Sequence, residues 1–120
     1  RETGSTHFHE TQQKALRRKK LREMKPEASI DLHGLTRDEA AARVRSFIDT
    51  SCDRGLSKVL IIHGKGNHSE TGRSTLKEVV TEILRNDRRA GETGIPERSL
   101  GGGGATWVIL RRNKRIQRSR

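Results

Sequence analysis

A histidine–glycine pair occurs twice in this chain, 30 residues apart, as Asp31-Leu32-His33-Gly34 and as His63-Gly64-Lys65-Gly66. Each pair closes a short apolar run and opens onto a helical pattern, so the chain repeats one strand–turn–helix unit. Two such units bury their apolar faces together when the strands run parallel and the helices pack over them. Ala28 to Leu32 is the first strand, and the continuous run Val59-Leu60-Ile61-Ile62 is the second. Within the first, Ile30 and Leu32 share one face while Asp31 and His33 share the other.

The helices are marked by their ends. Thr36-Arg37-Asp38-Glu39 matches a capping box, Ala40, Val44, Phe47 and Ile48 follow at helical spacing, and Gly55 closes the segment. Leu76, Val79, Val80, Ile83 and Leu84 mark a second amphipathic helix, with Ser74 the expected cap. From Asn86 to Ser99 the pattern weakens to a loop, with a brief edge strand expected around Ile95 to Leu100. Gly101 to Gly104 reads as a turn, and Ala105 to Leu110 as a final strand whose Trp107 is expected in the core. The expected architecture is a small α/β domain with two helices on a mixed sheet.

Apolar residues concentrate between Ala28 and Leu110, which divides the chain into a basic arm (1–27), a folded domain (28–112) and a basic tail (113–120). The formal charge is +11, from 26 Lys and Arg against 15 Asp and Glu, with runs at Arg17-Arg18-Lys19-Lys20 and from Arg111-Arg112 onward. Charge clustered in this way favours a polyanionic partner, because Lys and Arg displace condensed counterions from phosphate backbones. The arm reads as mobile or partly helical, either lying along such a backbone or serving as a solvated linker. A single cysteine, Cys52, excludes an internal disulfide and a Cys-rich zinc site; a buried or half-buried thiol is expected. No run is long enough to span a bilayer and no signal-peptide core is visible, so a cytoplasmic location without membrane contact is expected. The first residue is Arg1, as expected of a piece of a longer chain.

The chemistry gathers at the strand ends, where open α/β sheets bind ligands. Asp31 is placed to hydrogen-bond His33 or His63, and histidine is the side chain that exchanges protons near neutral pH. Gly64, Lys65, Gly66, Asn67, His68 and Ser69 form a candidate phosphate cradle that is not a Walker A sequence. His33, His63, His68 and Asp31 lack zinc-motif spacing, so no metal site is expected, although Asp31 suits a loosely held Mg²⁺. His7 and His9 are expected in solvent. Each His-Gly pair alone could be a plain turn with a satisfied imidazole; the repetition, with an aligned Asp and a Lys, favours a functional site.

Asp31-Leu32-His33-Gly34-Leu35-Thr36, Val59 to Gly66 and Gly102-Gly103-Gly104-Ala105-Thr106-Trp107-Val108 occur in an order that resembles the small MutS-related (Smr) domain. The stand-alone form with basic flanks is similar to the bacterial Smr nuclease subgroup. The resemblance implies a two-layer α/β sandwich like the C-terminal domain of translation initiation factor 3. It also implies nucleic-acid binding and endonuclease activity on DNA or RNA, with the family motifs on Asp31, His33 and Gly34 and on His63, Gly64, Lys65 and Gly66. The expectation is therefore an endonuclease. His33 and His63 would share acid and base roles, Asp31 would orient one of them, and Lys65 would stabilise charge with the amides of Gly64 and Gly66. No small-molecule cofactor is required, and Mg²⁺ becomes useful if the substrate is DNA. A non-catalytic DNA- or RNA-binding module is the alternative.

Overall fold

The computed structural model describes residues 2–65 and 75–111. Its elements are α1 (Glu2–Glu23), β1 (Ala28–Asp31), α2 (Arg37–Asp53), β2 (Lys58–Ile62), α3 (Leu76–Arg85), β3 (Ala90–Gly94) and β4 (Ala105–Leu110). The strands form one mixed sheet in the order β1-β2-β4-β3. β1 and β2 are parallel with Asp31 opposite Ile62, while β4 runs antiparallel to both β2 and β3.

Parallel pairing needs a long crossover, and α2 supplies it. Its start is the expected capping box: Glu39 N donates to Thr36 Oγ1 at 3.2 Å and Thr36 N donates to Glu39 Oε1 at 2.9 Å. Its end is a Schellman motif, in which Gly55 N donates to Cys52 O and Leu56 N to Ser51 O, both at 3.0 Å. Cys52 is free and half-buried. α3 starts from a second capping box, formed by Thr75 and Glu78. Thr75 takes the place expected of Ser74 because an acidic residue stands three positions after it.

Val59 and Ile61 of β2 and Val108 and Leu110 of β4 meet Ala40, Val44 and Ile48 of α2 and Val80, Ile83 and Leu84 of α3 in one buried cluster. Two helices thus cover one side of the sheet, as expected.

Three expectations change. The edge strand is Ala90–Gly94 rather than Ile95 to Leu100, and Arg98–Leu100 forms a 3-10 turn. This segment has no alternating apolar pattern; main-chain pairing to β4 holds it, with an irregularity between Ala90 and Thr93. Arg89, paired with both Asp87 and Asp49, ties its start to α2. Trp107 is half-buried rather than a core residue, because alternation along β4 places it on the face away from α2 and α3. Lys58 Nζ stands 4.8 Å from its ring centroid, and a Cβ on Gly94 would overlap the ring.

The arm is one helix of 22 residues rather than a short or partial one. Lys58, only 3% exposed, holds its end by donating from Nζ to Arg22 O and Met24 O, both at 2.7 Å. A buried ammonium needs such acceptors, and a cation suits the negative end of a helix. Arg22 adds an ion pair to Glu92 at 2.7 Å.

Candidate active site

β1 and β2 are each followed within three residues by a glycine of positive φ. Leu35 N donates to Leu32 O at 3.1 Å, with φ +81° at Gly34, the positive value that a type II turn puts at its third residue. His63 N and Gly64 N both donate to Gly104 O at 2.9 Å, with φ +88° at Gly64. Because Asp31 pairs with Ile62, the two turns emerge side by side at the carboxyl edge of the parallel pair. α2 and α3 begin from that same edge.

The two imidazoles differ in kind. His63 is 6% exposed, with Nδ1 2.6 Å from Gly64 O and Nε2 2.8 Å from Thr106 Oγ1. A carbonyl only accepts, so Nδ1 carries the proton and Nε2 accepts from the Thr106 hydroxyl. Burial pushes the ring below its ordinary pKa of 6.5; the Gly64 hydrogen bond opposes this, and the charge of Lys77 adds to it. Proton transfer by His63, expected from its position, would first require one of these bonds to open. His33 is exposed, and its ring makes no hydrogen bond or ion pair among the described residues.

Asp31 is also exposed, and its Oδ1 accepts from the backbone N of His33 at 2.9 Å. The expected bond from this carboxylate to an imidazole is replaced by that local contact, common for Asp two residues before an amide. Alternation explains why His63 is out of reach. Asp31 leaves the sheet on the face away from the helices, whereas His63 reaches Thr106 on the helix face. Among the described residues no three His, Cys, Asp or Glu side chains gather as a metal cage. Asp31 alone fits only a cation that keeps most of its water, as Mg²⁺ does.

Lys65 is exposed and lies at the mouth of an open cleft between α2 and α3. Gly66, Asn67, His68, Ser69 and Ser74 lie outside the described residues, as do Arg112 and the 113–120 tail. Arg17, Arg18, Lys19 and Lys20 are exposed on α1. Arg17, Arg18 and Arg111 line one groove beside Gly91 and Ile109. Ile109 pairs with Lys58, so this groove lies at the end of the sheet opposite His33 and His63. Thr106 and Gly104 are site residues that the sequence pattern placed only in a turn, a strand and a family motif, with no role at the site. The glycine run before Ala105 was the available signal, since Gly104 closes against Gly64.

The family model described as Smr domain matches residues 30–111. The chain belongs to the Smr domain family. A crystal structure of the stand-alone small MutS-related protein YdaL from Escherichia coli is 33% identical, with a TM-score of 0.70 over 78% of this chain and 73% of that one. The Smr domain of Thermus thermophilus MutS2 is also 33% identical, with a TM-score of 0.61 over 70% of this chain and 98% of that one. Among curated relatives, Endonuclease MutS2 of Symbiobacterium thermophilum is 45% identical over 84% of this chain and 12% of its own length. A Treponema pallidum protein is 45% identical over 80% of this chain and 47% of its own length. The Smr chain thus spans about half, or much less, of these curated relatives. The four-stranded mixed sheet with its helices is the fold of the Smr crystal structures. Among the described residues no helix is long and apolar enough to cross a membrane.

Proposed function

We propose that this Smr domain is a nucleic-acid-binding endonuclease that cleaves phosphodiester bonds in RNA or structured DNA. The observation that carries this reading is the exposed His33 imidazole, beside a carboxylate fixed by its own backbone and next to a glycine–lysine turn. The relatives named Endonuclease MutS2 support it.

His33 acts as the proton-transfer group, because an exposed ring with free nitrogens can reach a substrate oxygen. Asp31, anchored through Oδ1, keeps its other oxygen available to orient that ring or an attacking water. Lys65 and the amide of Gly66 balance charge on the phosphorane-like transition state, Asn67 adds a donor to the phosphate, and the Gly64 amide, already bonded to Gly104 O, holds the loop in place instead. His63 positions the Gly64 turn as a neutral ring rather than exchanging protons. Arg17, Arg18 and Arg111 grip flanking phosphates at the far end of the sheet, and Lys19, Lys20 and Arg112 add cations to the same phosphate binding. In RNA the 2′-hydroxyl gives its proton to His33 and attacks phosphorus, and the bond to the 5′-oxygen breaks. That oxygen takes a proton from the imidazolium or from water, and no cofactor is needed. With DNA, Mg²⁺ near Asp31 would activate water. A cytoplasmic location is part of this proposal.

The experiment is cleavage of matched RNA and DNA with and without EDTA, followed by end-group analysis. A 2′,3′-cyclic phosphate formed in EDTA supports the His33 route on RNA. Loss of DNA cutting in EDTA with 5′-phosphate ends supports the metal-assisted route. A second reading, a binding module without catalysis, is favoured by one observation: both nitrogens of His63 are occupied. It prevails if neither substrate is cut while both are bound.

A further inference from the structure

The strand-edge chemistry gives no role to the cleft between α2 and α3, yet the cleft opens onto that edge. Along α2, Arg37, Ala41 and Arg45 recur every four residues; along α3, Lys77, Thr81 and Arg85 do the same. Side chains at that spacing share one helix face. All six line a single cleft of about 910 Å³, with Lys65 at its mouth. The helices pack directly on each other, so two rows of cations run side by side, each with a small residue between its charges.

Three carboxylates also line the cleft. Glu78 is held by the cap, accepting from Thr75 N at 2.8 Å, and Glu82 pairs with Arg85 at 3.2 Å. Asp38 sits in the first turn of α2, where the helix dipole suits it. Arg37, Arg45, Lys65 and Lys77 form no ion pair among the described residues. Lys77 lies close enough to His63 to influence its ring, which links the cleft to the turn at Gly64.

We propose that this cleft is a track for one unpaired nucleic-acid strand, leading away from the strand-edge site past Lys65; it rests on the nucleic-acid reading above. Packed helices stand about 8–10 Å apart. A groove of that scale is narrower than the roughly 12 Å that separates the two backbones across a duplex major groove, so it seats one sugar–phosphate backbone at a time. Arg37 and Arg45 are about 12 Å apart along the helix axis, which lets them reach separate phosphates of an extended strand. No aromatic ring lines the cleft among the described residues, so it holds phosphates without reading sequence. The substrate class is therefore a duplex or folded nucleic acid with a single-stranded flank beside the cleaved bond.

The test is fluorescence anisotropy with the full chain and three DNA probes: a blunt duplex, and the same duplex with a 5′ or a 3′ single-stranded overhang. The wild type is expected to bind one overhang probe about five- to tenfold more tightly than the blunt duplex. Arg45→Ala with Lys77→Ala should erase that preference and leave blunt-duplex affinity within about twofold. It should also reduce the salt slope on the overhang by about 1.4, the effect of two cations on a single strand. Thr81→Glu, an exposed helix position, adds a carboxylate mid-track and should erase the preference too; it decides the matter if the double variant misfolds. Equal wild-type affinity for all probes, or a preference retained by the variant that folds, overturns the track and leaves the nucleic-acid reading standing. The same three probes are also made in RNA; failure of the wild type to bind any DNA or RNA probe overturns both.

Discussion

His63 has both ring nitrogens bonded inside the protein, Nδ1 to Gly64 O and Nε2 to Thr106 Oγ1. Its place at a strand end follows from the apolar run before it, but its partner Thr106 comes from a strand 43 residues away, a contact no local pattern encodes. Once both nitrogens are bonded inside the protein, burial keeps the ring neutral. The pH consequence has a definite sign. The folded ring has a pKa below the ordinary 6.5, so the unfolded chain takes up the proton first. Stability is fully present above that value and is lost as pH falls through the lowered one. Urea denaturation at steps from pH 7.5 to 5 should show this fall, and His63→Gln should flatten it. A wild-type stability flat across the range would contradict the neutral, buried assignment.

At the level of elements, legibility followed locality. The caps of α2 could be read from a few neighbouring residues, because capping box and Schellman motif are contiguous patterns. β3 could not, since Ala90–Gly94 owes its place to pairing with β4 and not to its own side chains. α1 was equally opaque: it has no apolar stripe, and Leu16 is 66% exposed. Its docking depends on Lys58, 34 and 36 residues further along the chain. Lys58→Met would leave the Arg22 and Met24 carbonyls without that donor, at a cost of about 1–3 kcal/mol. The helix should then detach at its C-terminal end. Limited trypsin digestion should cut between Arg17 and Lys25 several times faster than in the wild type, and an unchanged rate would show that Lys58 does not anchor α1.

Across the whole molecule, basic charge is distributed between two ends of one sheet. His33 and Lys65 stand at the carboxyl edge of β1 and β2, whereas Arg17, Arg18 and Arg111 stand beside the start of β2. The sequence showed how much charge there was, but only the fold separated it by place. This separation predicts that affinity and chemistry can be altered independently. Replacing Arg17, Arg18, Lys19 and Lys20 with Gln should weaken duplex binding and lower the salt slope by about 0.9 for each phosphate that is no longer neutralised. The cleavage rate at saturating protein should be preserved. A salt slope equal to the wild type's would make α1 a linker only. The most direct test of the proposed endonuclease is the single-turnover cleavage rate of His33→Ala at saturating protein, measured beside the wild type on matched RNA and DNA. A fall of about 10²–10⁴-fold with binding unchanged is the predicted result; a variant that cuts as fast as the wild type would contradict it.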